Sequence, residues 1–213
     1  MLVACDQSEQ QSGSTTASDT ASHSAHNDNS NKGSTGNKEE QSMISMMEKN
    51  MEQMKDLKSL GSNDKDFAAM MKIHHMGAVE MARLQLAQGT DQEVKAMAQK
   101  MLDEQQKETS QLDAFLSNNN QTTAEQSKSS PFYDRVMKEM DDMDMDDVDH
   151  SGSIDHQFVQ MMIPHHQGGI AMANLYLKNG PKDQSLKAIA NKIKTDQQKE
   201  IQQLQAWLAS HKK

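Results

Sequence analysis

Two copies of a histidine–methionine motif carry the side chains of this chain that are best suited to chemistry. The first copy reads Met70-Met71-x-x-His74-His75-x-Gly77-x-x-x-Met81, and the second reads Met161-Met162-x-x-His165-His166-x-Gly168-x-x-x-Met172. Thioether sulfur is a soft and uncharged ligand, and together with imidazole it suits Cu(I), or Ag(I) as its mimic. The motif therefore predicts a soft-metal site in which these methionines and histidines are the candidate ligands.

Other metals fit the same residues less well. Zinc sites use thiolates or carboxylates beside histidine, and calcium and magnesium sites use oxygen ligands alone. A di-iron bundle requires Glu-x-x-His on paired helices, and this sequence contains no Glu-x-x-His. Methionine, unlike cysteine, forms no disulfides in an oxidising compartment. Copper is therefore the favoured metal, with Cu(I) preferred and Cu(II) left open.

The competing interpretation treats these residues as core packing. Methionine at helical spacing is usually a core residue, and a single buried histidine is usually a hydrogen-bonded one. The doubled His-His with methionine four residues before and seven residues after its first histidine occurs twice, which favours a metal site. Gln105, Glu108, Gln197 and Glu200 are then candidates for orienting the imidazoles from neighbouring helices.

Two further methionine-rich segments precede the two motifs. In the first, the methionines share one helical face, which predicts either a short helix packed on the bundle or a second Cu(I) site. The second combines methionine, aspartate and histidine, which predicts either an acidic metal-gathering loop or a solvated linker. The candidate ligands are Met43, Met46, Met47, Met51 and Met54 in the first segment and Met140, Met143, Met145, His150 and His156 in the second.

Composition narrows the classes of function. The 213 residues include 31 acidic and 22 basic side chains, a net charge of −9, which argues against nucleic acid as a partner. No stretch is long and apolar enough to predict a membrane-spanning helix. Three prolines and seven aromatic residues argue against a β-sandwich or barrel. The unusual feature is methionine, whose 19 copies outnumber the 13 leucines.

The amino-terminal segment, residues 1–41, predicts a membrane anchor and a tether. Leu2-Val3-Ala4-Cys5 resembles a bacterial lipobox, in which the cysteine carries lipid, although no charged and apolar signal segment precedes it. The alternative is a cysteine that stands near the terminus by chance. The polar tract that follows, as far as Gln41, has too little apolar surface to fold and is expected to be disordered.

An internal repeat organises the rest of the chain. The two motifs recur at an offset of 91, and Gln105-Gln106-Lys107-Glu108 recurs as Gln197-Gln198-Lys199-Glu200 at an offset of 92. Each repeat predicts two long helices joined by a short connection, which makes them antiparallel. The expected fold is an all-α, up-down four-helix bundle over residues 42–213, with short methionine-rich accessory helices and repeats at 42–120 and 131–213. The predicted long helices run from about Asp64 to Gln88, Asp91 to Ser117, Asp155 to Asn179 and Lys182 to Ser210.

These motifs, each followed by Gln-Gln-Lys-Glu and Leu-x-Ala-[Phe/Trp]-Leu, resemble the domain-of-unknown-function 305 family, which includes periplasmic copper-binding proteins of the CopM type. The resemblance covers about residues 43–211. It implies a ferritin-like four-helix bundle outside the cytoplasm that binds Cu(I), Cu(II) or Ag(I) in copper tolerance. One departure is Met76, where the second motif has Gln167.

The leading hypothesis is an extracytoplasmic, lipid-anchored copper-binding protein that sequesters copper or delivers it to a copper exporter or another periplasmic copper protein. The alternative is a tethered helical module whose methionine face binds a protein partner, as methionine-rich surfaces can. Pairing of histidine with methionine favours the metal. An enzyme such as a copper oxidase is not expected, because the sequence offers neither a carboxylate dyad nor a nucleophile with its base.

Overall fold

The computed structural model describes residues 42–120, 128–141 and 152–211. Within these ranges the chain is entirely helical, and none of its helices is long and apolar enough to cross a bilayer. The predictions for residues 1–41 and for Met143, Met145 and His150 lie outside the described residues. The helices are α1 (Met43–Asp56), α2 (Asn63–Gln88), α3 (Gln92–Asn118), α4 (Pro131–Asp141), α5 (Ile154–Lys178) and α6 (Gln184–Ser210).

The four long helices begin and end within two residues of the predicted positions. Their first turns are fixed by polar side chains that accept hydrogen bonds from otherwise unpaired backbone N–H groups. Ser62 and Ser153 cap α2 and α5, and Asp91 and Asp183 cap α3 and α6. Equivalent helices of the two repeats therefore use the same type of cap, which confirms the repeat as a structural unit.

Symmetric hydrogen bonds also join the two repeats at the ends of the bundle. Asp155 in the first turn of α5 accepts hydrogen bonds from the Gln85 side chain and from the backbone N–H of Thr90 in the α2–α3 connection. Asp64 in the first turn of α2 accepts the corresponding bonds from the Tyr176 hydroxyl (2.6 Å) and from the backbone of the α5–α6 connection. Each repeat thus supplies a carboxylate that accepts hydrogen bonds from the interhelical connection of the other repeat.

The accessory helices α1 and α4 both pack on α2 and α5, the two helices that carry the histidine motifs. α1 covers the pair with a methionine face. α4 contributes Phe132, whose ring meets Phe67 of α2 edge-on with centroids 5.9 Å apart. The histidine motifs therefore lie in the interior, enclosed by α3 and α6 on their own hairpins and by the two accessory helices.

Candidate metal centre

A small cavity lies where α1 and α4 meet α5 and the His74 side chain of α2. Its volume is about 80 Å³, enough for a metal ion and far below the roughly 300–1,000 Å³ of sites for organic ligands. We name it the Met–His chamber. Its wall contains five thioethers and two imidazoles, from Met47, Met51, Met54, Met140, Met172, His74 and His165, together with Asn50, Val136, Glu139, Pro164, Gly168 and Ala171.

His74 and His165, here called the chamber histidines, meet at the centre of the bundle. Their ring centroids are 3.8 Å apart, and the two residues are 6% and 2% exposed. The Nε2–H of His74 donates to the backbone carbonyl of His165 at 3.0 Å. Gly169 permits this approach, because a Cβ at position 169 would lie only 3.1 Å from His74 Cε1 and would overlap the side-chain amide of Gln197. A Cβ at position 168 would make an ordinary contact of 3.6 Å with His74 Nε2, so Gly168 is not required for it.

Both chamber histidines are neutral at neutral pH. Burial, reinforced by the neighbouring imidazoles, lowers the pKa of His74 and of His165 well below the usual value. The Nδ1 atom of His74 and both ring nitrogens of His165 are buried and have no hydrogen-bond partner. Buried polar atoms without partners are rare in folded proteins. A metal ion that accepts one lone pair from each neutral imidazole would satisfy Nδ1 of His74 and one ring nitrogen of His165.

His75 and His166, here called the glutamate-paired histidines, occupy a different interface. His75 Nε2 lies 2.9 Å from Glu108 of α3, and the other oxygen of Glu108 accepts from Lys192 of α6 at 2.9 Å. Glu108 thus contacts an imidazole, as the sequence predicted, whereas the side-chain oxygen of Gln105 and both amide atoms of Gln197 have no hydrogen-bond partner among the described residues. The symmetric set consists of His166, Glu200 and Lys100, with distances of 3.0 Å and 3.2 Å.

These two sets join the repeats through charge. Each glutamate takes its histidine from its own repeat and its lysine from the other repeat. Burial acts to raise the pKa of Glu200, but His166 and Lys100 outweigh it and the pKa falls to about 2. Glu200 is therefore ionised at neutral pH and fully engaged. Neither glutamate lines the Met–His chamber.

The remaining predicted ligands lie elsewhere. His156 contacts the edge of the Trp207 ring, with centroids 4.9 Å apart, and its Nε2 lies 3.1 Å from the backbone oxygen of His211. The other methionines of the motifs and of α1 are buried in the apolar core and do not line the chamber. They are Met43, Met46, Met70, Met71, Met81, Met161 and Met162.

The sequence interpretation missed two polar residues of the chamber wall. Asn50 interrupts the methionine face of α1, and this interruption is visible in the sequence because the residue follows Met47 by three positions and precedes Met54 by four. Glu139 is the one ionisable carboxylate on the wall, and it pairs with Arg135 at 2.8 Å. Its contribution depends on how α4 lies across α5, which no local pattern reveals.

The donor set of the chamber fits a soft ion. Among the described residues no group of three or more histidine, cysteine, aspartate or glutamate side chains is arranged to hold a metal. Such groups are what zinc, calcium and other harder ions require. The thioethers and neutral imidazoles of the chamber are the ligand types preferred by Cu(I) and Ag(I).

Comparison with known proteins agrees with this fold. The family model described as "Domain of unknown function (DUF305)" matches residues 3–116 and 64–208. One similar solved structure is CopM in an Ag-bound form, which is 23% identical over 70% of this chain and 98% of that chain, with a TM-score of 0.54. CopM in the Cu(I)-bound form is 25% identical over 69% of this chain and 96% of that chain, with a TM-score of 0.53. A DUF305 protein from Streptomyces coelicolor, described as secreted, is 23% identical over 71% of this chain and 95% of that chain, with a TM-score of 0.56. No curated protein matches the chain.

Proposed function

We propose that this chain, which belongs to the domain of unknown function 305 family, binds Cu(I) or Ag(I) in the Met–His chamber and sequesters or delivers copper outside the cytoplasm. One observation carries the proposal. Five thioethers and two neutral imidazoles line a single small cavity of ionic dimensions. Apolar packing alone gives no reason for two imidazoles to meet among five thioethers.

The charge of the chamber favours a monovalent ion. Burying a charge is costly, and the cost grows steeply with the charge of the ion. The chamber offers neutral donors together with Glu139, whose carboxylate is already paired with Arg135. Such a wall can neutralise one positive charge at most, so Cu(I) and Ag(I) are favoured over Cu(II).

The dimensions of the chamber favour binding over catalysis. A cavity of about 80 Å³ leaves no room for an organic substrate beside the ion. We therefore assign the chain a role as a metal-binding protein rather than an enzyme.

The relatives support a place outside the cytoplasm. CopM has been solved with Ag and with Cu(I), and the Streptomyces coelicolor protein is described as secreted. A lipid anchor at Cys5 would hold the bundle at a membrane surface, where a copper exporter or another periplasmic copper protein is the natural recipient. The alternative is a methionine-rich helical module that binds a protein partner and no metal.

A Cu(I) competition titration of the full chain against bicinchoninate, with zinc in parallel, tests the proposal. The wild type is expected to compete for Cu(I) in a saturable way and to bind zinc weakly. The triple variant Met51→Leu, Met54→Leu and Met172→Leu removes three sulfur atoms from the chamber at nearly constant volume, which usually costs less than about 1.5 kcal/mol per site. It is expected to lose most of the Cu(I) affinity.

The matched control replaces three buried methionines that do not line the chamber, namely Met46, Met81 and Met101, by leucine. The control is expected to bind Cu(I) like the wild type. Equal loss in both triple variants would show that the methionines act only through packing. Wild-type protein that fails to compete for Cu(I) would refute the metal site and direct the search to protein partners.

A further inference from the structure

α1 supplies three of the five methionines of the Met–His chamber, yet its apolar face does little to fix where it sits. Met43, Met46, Met47 and Met54 are its buried apolar residues. Methionine is unbranched and flexible, so it fills differently shaped gaps with little preference. A helix with such a face could shift along α2 by one turn and still bury methionines. Some other feature must therefore select one register.

Asn50 is one such feature by its contacts, beside the α1–α2 connection, in which Asp66 accepts hydrogen bonds from Ser59 Oγ and from the backbone N–H of Leu60. Asn50 is the one polar residue among the buried residues of α1, and it is only 4% exposed. Its Nδ2 donates to the backbone carbonyl of Ile73 in α2 at 2.7 Å. A shift of α1 by one turn would take the amide away from this carbonyl and leave it unpaired in an apolar interface, which is unfavourable.

Gly77 of α2 provides the place into which Asn50 fits. A Cβ at position 77 would lie 2.5 Å from Cγ and 2.7 Å from Oδ1 of the Asn50 side chain. Gly77 therefore allows α2 to lie close to α1. The missing side chain at Gly77 leaves a notch in the surface of α2. This notch and the Ile73 carbonyl together accept an asparagine at one position of α1 only.

The second repeat has no equivalent of this contact. Pro164 stands where repeat one has Ile73, and Gly168 faces His74 instead of an accessory helix. The accessory helix α4 buries Phe132, Val136 and Met140, all of them apolar. The polar anchor therefore belongs to α1 alone, the helix that brings most of the sulfur to the chamber.

We infer that Asn50 is a positioning residue of the metal site: its bond to Ile73 in the notch at Gly77 fixes the register of α1 and so decides which methionines line the chamber. A single buried asparagine is known to set helix register at some expense of stability. Met47 and Met54 flank Asn50 on the same face, and Met51 follows it directly, so all three depend on this register. This inference rests on the proposed function for its metal readout.

The test replaces Asn50 by leucine, which has the same branching and number of side-chain heavy atoms and cannot bond to the carbonyl. The free energy of unfolding of the metal-free protein is expected to stay the same or to rise, because apolar replacement of a buried polar group is often neutral or stabilising. Cu(I) affinity is expected to fall by about 10- to 100-fold, the range seen when a residue that orients a ligand is lost. X-ray absorption of the Cu(I) form is expected to show fewer sulfur neighbours.

A size exchange separates the hydrogen bond from packing. Gly77→Ala alone should displace α1, because the new Cβ overlaps the Asn50 side chain. The double variant Asn50→Ala and Gly77→Ala restores space but not the bond, so Cu(I) affinity should remain low. Recovery of wild-type affinity in the double variant would overturn the inference, since packing alone would then suffice. Met46→Leu, a buried α1 substitution outside the chamber, is the matched control.

A metal-free measurement keeps this test independent of the proposed function. In protein labelled with ¹³C-methyl methionine, the α1 methyl groups of the wild type should show nuclear Overhauser contacts with the rings of His74 and His165. Asn50→Leu should change which methyl groups make these contacts. An unchanged pattern would overturn the register inference even if Cu(I) binds, and a changed pattern would support it even if the wild type bound no metal.

Discussion

The two histidines of each motif are neighbours in the sequence but have opposite environments. The chamber histidines, His74 and His165, face each other among thioethers, and no hydrogen bond or ion pair links them to a carboxylate of the described residues. The glutamate-paired histidines, His75 and His166, are fully buried against Glu108 and Glu200. One pair is kept neutral and available, whereas the other is committed to a network of charges.

A rotation of about 100° per residue explains this division. It turns the first histidine of each motif toward the other motif and toward α1, and it turns the second toward the neighbouring helix of its own hairpin. The doubled His-His therefore combines a ligand position with an anchoring position. Only the first histidine of each motif is therefore a candidate for holding the ion.

The largest expected effect concerns metal affinity. The double variant His74→Gln and His165→Gln removes both imidazoles of the chamber and should weaken Cu(I) binding by more than about 100-fold, because ligand loss exceeds the 10- to 100-fold cost of losing an outer hydrogen-bond partner. His75→Gln with His166→Gln should leave the affinity within a few-fold of the wild type. Competition titration of both variants measures the difference, and equal losses would refute the division of roles.

The next effect concerns stability. Replacing Glu200 by glutamine removes the carboxylate that contacts the buried His166 and the half-exposed Lys100, which keeps its pair with Glu104. Loss of a hydrogen-bond partner by a buried polar group typically costs about 1–3 kcal/mol. Denaturant unfolding at pH 7 should report a loss of this order, with Ag(I) binding retained. Glu80→Gln, in an exposed pair with Lys49, is the control and should change stability by less than about 1 kcal/mol. A small effect at Glu200 would mean that the network is not a structural anchor.

A third effect concerns the pH dependence of stability that the chamber histidines produce. The pKa of each chamber histidine lies below its value of 6.5 in the unfolded chain, so below pH 6.5 the unfolded state takes up protons that the folded state does not. The metal-free protein should therefore lose about 1.4 kcal/mol per pH unit for each neutral histidine as the pH falls below 6.5 toward the lowered pKa.

Unfolding of the wild type and of the His74→Gln, His165→Gln variant between pH 7 and pH 5 measures this effect, because the variant should show a flatter dependence. Cu(I) affinity should likewise hold constant until the pH falls well below 6.5, since only neutral imidazole binds the ion. A wild-type affinity that already declines between pH 7.5 and pH 6.5 would contradict the lowered pKa values.

Much of this architecture could be predicted from the sequence, and the residues show why. The 3.6-residue period and the capping residues Ser62 and Asp91 define helices without reference to the rest of the chain. The repeat then required the two motifs to be equivalent. These local features predict that both motifs face the interior of the bundle.

The remainder depends on how helices that are distant in the sequence come together. Both histidines of a motif lie on the buried side of their helix, so the pattern alone could not tell which one faces the other repeat. The role of Asn50 depends on its contact with Gly77, which is 27 positions away in the sequence. Glu139 reaches the chamber wall only because α4 crosses over α5. Packing between separate segments is set by the whole core and leaves no periodic signal.

The smallest expected effect contrasts two methionines under mild oxidation. Met51 lines the chamber and is half-buried, whereas Met76 is 40% exposed on the outer surface of α2 and does not line the chamber. Hydrogen peroxide converts a thioether to a sulfoxide. A sulfur that donates one lone pair to Ag(I) is less nucleophilic and reacts more slowly. Ag(I) should therefore slow oxidation of Met51 severalfold and leave that of Met76 unchanged, as peptide mass spectrometry can measure. Equal protection at both positions would indicate nonspecific binding of silver. No protection at Met51 would exclude its sulfur as a ligand, and the role of the chamber histidines would then rest on the His74→Gln, His165→Gln variant.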